Sequence, residues 1–60
     1  MYTNIEVLKG KLEQGKSDGE FKYEGISFSY DDYNLTENDG IVVIQFYLLE
    51  RETNKLTILM

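Results

Sequence analysis

The residues with most chemical reach in this 60-residue chain are its carboxylates, eleven in all. Seven of them, Asp18, Glu20, Glu24, Asp31, Asp32, Glu37 and Asp39, fall between positions 17 and 40, where Lys22 is the sole cation. Carboxylates serve as general acids and bases, as metal ligands, or as contacts for cations on a partner, and spacing decides among these uses. Asp31 and Asp32 are adjacent, so on an extended chain they point to opposite faces and do not converge on one reacting atom. Glu50 and Glu52 stand beside a turn, open to water. Asp32, Asn34 and Thr36 offer oxygens at alternate positions, as a calcium loop does. Glu37 then occupies the position that requires Gly, and Val43 the position of the bidentate Glu, so the match fails. There is no His and no Cys, which removes imidazole bases, thiolate nucleophiles, disulfides and soft-ligand metal sites. Asn34-Leu35-Thr36 matches a glycosylation sequon but carries no weight without a secretory signal. No catalytic residue, metal or cofactor is expected, and the chain reads as a binding protein.

The remaining use of the carboxylates is recognition. Residues 1–16 carry a net charge of +1, residues 17–40 carry −6, and residues 41–60 balance, giving the formal −5. That distribution opposes direct binding to nucleic-acid backbones, which need Lys and Arg, and suits docking on a basic protein surface. Asp31, Asp32, Tyr33, Glu37 and Asp39 are the expected partner-binding residues. Five Tyr and three Phe supply a core in a chain without Trp. Phe21 and Phe28 belong inside it, while Tyr30, Tyr33 and Tyr47 are expected at an interface, where a hydroxyl finds water or a polar partner.

The elements that must position these groups follow from periodicity. Residues 3–14 read as a helix: Thr3-x-x-Glu6 forms a capping box, Tyr2 and Val7 a hydrophobic staple, and Ile5, Leu8 and Leu12 one apolar stripe. Gly10 weakens that helix or marks a neighbour's close approach, and Gly15 reads as its stop. Glu20-Phe21-Lys22-Tyr23 and Ile26-Ser27-Phe28-Ser29-Tyr30 alternate with period two and change parity at Glu24-Gly25. A tight hairpin over 20–30 then pairs Tyr23 with Ile26 and Phe21 with Phe28 on one face, and a bulge at Gly25 in one continuous bent strand is the alternative. Residues 31–40 read as an acidic loop. A second hairpin over 41–60 turns at Glu52-Thr53-Asn54-Lys55 and sets Leu49 beside Ile58 and Tyr47 beside Met60.

The expected fold is α+β in one domain: an N-terminal helix packed on a small antiparallel sheet of three to four strands, built from two hairpins. In the stretch from Ile41 to Leu49 only Gln45 interrupts the apolar residues, and strands apolar on both faces are covered on both. One short helix covers one face. Ile41, Val43, Tyr47, Leu49, Leu56, Ile58 and Met60 are therefore the expected self-association residues of a homodimer. Chains this small bury little surface alone and often gain stability by oligomerising. No membrane-length apolar run is present, and Met1-Tyr2-Thr3-Asn4 leads straight into a charged segment, so a cytoplasmic location is expected. In size, acidity and lack of Cys the chain has the general character of small bacterial or phage accessory proteins. The expected function is an inhibitor of phage or mobile-element type that binds and blocks a nucleic-acid-handling enzyme of the host's anti-phage defence. The alternative is an assembly adaptor that joins a larger complex by its edge strand.

Overall fold

The computed structural model describes residues 4–59. One helix, α1 (Ile5–Asp18), precedes five strands: β1 (Glu20–Tyr23), β2 (Ile26–Ser29), β3 (Asp32–Asn38), β4 (Ile41–Leu48) and β5 (Arg51–Leu59). The expected α+β character holds, but the strands form two antiparallel sheets, β1-β2 and β3-β4-β5. No helix among the described residues is long and apolar enough to cross a membrane.

The helix begins and ends later than its sequence pattern suggests. The expected roles of Tyr2 and Thr3 lie outside the described residues. Asn4 is the N-cap, its side-chain oxygen accepting the Glu6 N–H at 2.7 Å, a role for which Asn is favoured. The helix runs through Gly15 and stops at Gly19, which takes the left-handed conformation at φ 90° and donates its N–H to the Gly15 carbonyl at 2.7 Å. The close approach is at Gly15, not Gly10. A Cβ at Gly15 would stand 2.3 Å from the Tyr30 hydroxyl oxygen and 2.7 Å from the Glu20 carbonyl oxygen, whereas one at Gly10 would meet nothing within 4 Å.

The first hairpin has the expected register, Phe21 opposite Phe28 and Tyr23 opposite Ile26. Glu24 and Gly25 both take positive φ, 50° and 81°, the geometry that matches strand twist in a two-residue turn. The acidic stretch is not a loop. It forms β3, paired with β4 from Asp32 opposite Tyr47 to Asn38 opposite Ile41. Its polarity masks an alternation in which Tyr33 and Leu35 face the core while Asp32, Asn34 and Thr36 face outward. The turn that closes this pair is Asp39-Gly40, with φ 52° and 78°, and Asp-Gly between strands is a strong hairpin signal.

The last hairpin also differs from expectation. It turns at Leu49-Glu50, three residues earlier than the polar Glu52–Lys55 segment, which is part of β5. Ile58 therefore pairs with Val42 and Leu56 with Ile44, and an irregularity between Gln45 and Tyr47 brings Glu52 opposite Tyr47. The Gln45 amide, donating to the Asn54 carbonyl at 3.1 Å, and the Thr53 hydroxyl, donating to the Phe46 carbonyl at 3.2 Å, bridge this bulge.

The core comprises Leu8, Leu12, Phe21, Phe28, Tyr30, Val42, Ile44, Phe46 and Ile58. Phe46 is its hub, with ring centroids 4.7 Å from Tyr30 and 4.9 Å from Phe28. Tyr30, expected at an interface, is buried, and its hydroxyl donates to the Leu12 carbonyl at 2.7 Å. Tyr33 is half-buried, meets Tyr30 edge-on, and donates its hydroxyl to Glu13. Burial first, then the charges of Glu13 and Asp18, push the Tyr30 hydroxyl up to about 12, and burial and the Glu13 hydrogen bond do the same for Tyr33. Both phenols ionise more readily in the unfolded chain, near their ordinary 10. The stability they contribute is complete below pH 10 and is lost as pH rises through about 12. Denaturant midpoints measured across that range should fall steeply, together with tyrosinate absorbance. A flat midpoint there contradicts the buried hydrogen-bonded state of these two rings.

Candidate protein-binding surface

The expected recognition residues do not form one patch. Asp31 and Asp32 sit at the start of β3, while Glu37 and Asp39 sit at its far end, about 20 Å away by the rise of an extended strand. Tyr33 points to the core face and is engaged by the helix. Asp32, Asn34 and Thr36 lie along a straight strand, so their oxygens do not curl around a common centre.

What the fold does assemble is the end of the three-stranded sheet where β3 begins and β4 turns into β5. Asp31 donates its N–H to the Tyr47 carbonyl at 2.9 Å, and its carboxylate accepts the Leu49 N–H at 3.0 Å. That second bond fixes the turn from outside. Asp32 is drawn in from the helix side: its carboxylate accepts the Tyr33 N–H at 2.9 Å and lies 3.4 Å from the Lys16 ammonium. The backbone hydrogen bond first, then Lys16, hold this carboxyl below the usual Asp range. Asp31, Asp32, Tyr47, Leu49 and Glu50 line a groove of about 360 Å³. Tyr47 and Leu49 supply its apolar part and the three carboxylates supply its charge.

The turn itself is unusual in composition. Among the described residues, the three two-residue turns between strands all place both residues at positive φ, but the other two put Gly second. Here the pair is Leu49 at 53° and Glu50 at 64°, and a residue with a Cβ pays roughly 1–2 kcal/mol for that conformation. The outcome is a leucine held outward, 79% exposed, at the tip of the hairpin, with Leu48 exposed beside it. Sequence reasoning missed this site because neither residue is a turn former.

The self-association residues divide likewise. Ile58 belongs to the protomer's own core and Leu56 is half-buried against it, because the earlier turn reverses the face each presents. Ile41, Val43 and Tyr47 do lie on the outer face of β4, where Leu59 stands opposite Ile41. Met60 lies outside the described residues. That outer face is a narrow apolar stripe bordered by Asn34, Thr36, Asn38, Lys55 and Thr57, less greasy than the sequence suggests.

No family model, curated protein or solved structure matches this chain. Geometry and charge are what bear on its function.

Proposed function

We propose that this chain is a protein-binding module without catalytic activity, an inhibitor of phage or mobile-element type that blocks a nucleic-acid-handling enzyme in the host cytoplasm. The observation that carries the proposal is the Leu49-Glu50 tip: an exposed leucine kept in a costly backbone conformation, locked by Asp31 and rimmed by Asp31, Asp32 and Glu50. Strain of this kind persists where the surrounding structure enforces it and concentrates at functional sites. An apolar plug ringed by carboxylates is complementary to an apolar pocket ringed by Lys and Arg. Enzymes that grip phosphate backbones carry such basic surfaces. The formal charge of −5 favours fast encounter with them, weakening as salt rises. The chain acts as a homodimer in this proposal, presenting two tips to its target.

A second reading has its own observation. Among the described residues β5 is paired along one side only, and an adaptor that adds its edge strand to a larger sheet would use the other side.

Capture from bacterial lysate on the immobilised protein separates the two. The inhibitor proposal expects recovery of a nuclease or helicase, released by added salt, whose activity falls when this protein is added. Recovery of virion or envelope components alone, with no enzyme inhibited, overturns it in favour of the adaptor.

A further inference from the structure

We infer that two copies of this chain join through the free edges of their β5 strands, antiparallel and with Thr57 of each facing Thr57 of the other. Two three-stranded sheets thereby become one sheet of six strands. The inference rests on the self-association proposed above and fixes where it occurs. β5 spans nine residues, pairs with β4, and has no strand on its other side among the described residues. A row of unpaired backbone donors and acceptors of that length is a template for another strand.

Among the described residues β3 also has an unpaired edge, but charge and symmetry separate the two. Asp32 and Glu37 lie on β3 and Asp31 and Asp39 adjoin it, with no cation on the strand, so two β3 edges set acid against acid. In the regular part of β5, residues 55–59, Lys55 is the one charge, so two β5 edges bring no carboxylates together. Pairing β3 of one copy with β5 of the next would leave the same two edges exposed at every step and grow a filament. Pairing β5 with β5 closes on a two-fold axis.

The register follows from which way the side chains point. Leu56 and Ile58 share the core face through their partners Ile44 and Val42, while Lys55, Thr57 and Leu59 share the outer face. The irregularity at Gln45–Tyr47 ends this alternation before Lys55, leaving residues 55–59 as the regular segment. A two-fold between residues would oppose core-facing to outward side chains, so the axis must pass through a residue. Through Thr57 it pairs the whole segment. Leu56 then stands opposite the partner's Ile58, extending the apolar layer across the seam. Lys55 stands opposite the partner's Leu59, which is 77% exposed in the protomer, and its methylene stem covers that leucine.

The test uses the purified chain and sedimentation equilibrium at micromolar concentration, where a dimer is expected. Leu59 is exposed, so its substitution should leave the protomer's thermal midpoint in place. Leu59→Glu sets a carboxylate opposite the partner's Lys55 and should tighten the dimer, whereas Leu59→Lys sets like charges together and should loosen it, a spread of about tenfold or more. Thr57→Cys, in a chain with no other Cys, should cross-link into a covalent dimer under diamide, and Thr36→Cys on β3 should not. A wild-type monomer overturns both the proposed self-association and this seam. A dimer indifferent to both Leu59 substitutions, with no Thr57→Cys cross-link, overturns the seam alone and leaves self-association to the outer face of β4.

Discussion

Gly15→Ala is expected to destabilise the protein by about 2–4 kcal/mol, while Gly10→Ala on the same helix is expected to stabilise it by up to about 1 kcal/mol. The two glycines differ in what faces them. The added methyl at Gly15 would enter the space of the Tyr30 hydroxyl, 2.3 Å away, and of the Glu20 backbone carbonyl, 2.7 Å away. Neither can retreat cheaply. The Tyr30 ring is held against Phe46 at 4.7 Å and edge-on to Tyr33, and Glu20 follows the Gly19 cap that starts β1. Displacing Tyr30 also breaks its 2.7 Å hydrogen bond to the Leu12 carbonyl, leaving a buried hydroxyl without a partner. The gain in helix propensity offsets only part of this. A domain of this length has about 3–9 kcal/mol to lose, so the Gly15 variant should be largely unfolded at moderate denaturant. Adding Tyr30→Phe to Gly15→Ala removes one of the two overlaps and should recover part of the loss. Urea unfolding of the four chains checks this, and a loss at Gly10 as large as at Gly15 would contradict the packing described.

What the sequence made legible is the part governed by alternation and turn chemistry. The register of the β1-β2 hairpin followed from the parity change of Phe21, Tyr23, Ile26 and Phe28 across Glu24-Gly25, and the positive φ of both turn residues is what sets it apart from a bulge in one bent strand. Phe21 and Phe28 as core followed from the same pattern. β3 was hidden because only Tyr33 and Leu35 are apolar, and polarity outweighed both their spacing and the Asp39-Gly40 turn that follows. The final turn was hidden for the opposite reason. Leu49 and Glu50 favour other conformations, and it is Asp31, eighteen residues away, that holds them in place. A carboxylate reaching across a sheet to fix a backbone N–H leaves no local trace. The acidic stretch therefore looked like one surface, although pairing with β4 draws it straight and separates Asp31 and Asp32 from Glu37 and Asp39.

Replacing the tip by Leu49→Asn with Glu50→Gly should make the fold more stable and at the same time weaken recognition. Asn-Gly is the favoured pair where both residues take positive φ, so relief of the strain should stabilise by about 1–2 kcal/mol and raise the thermal midpoint by about 4–16 °C. The Asp31 carboxylate keeps its bond, because position 49 retains its N–H. Recognition loses the leucine, worth about 1.5–3 kcal/mol where fully buried, and one of the three carboxylates around it. Binding to the target should fall by about tenfold to a hundredfold. Stability and recognition thus move in opposite directions, which separates a binding defect from a folding defect. The decisive measurement is the thermal midpoint and the inhibition of the captured enzyme, taken on one preparation of this double variant beside wild type. A higher midpoint with inhibition weakened is the predicted result. A higher midpoint with inhibition unchanged would contradict the assignment of the tip as the recognition surface.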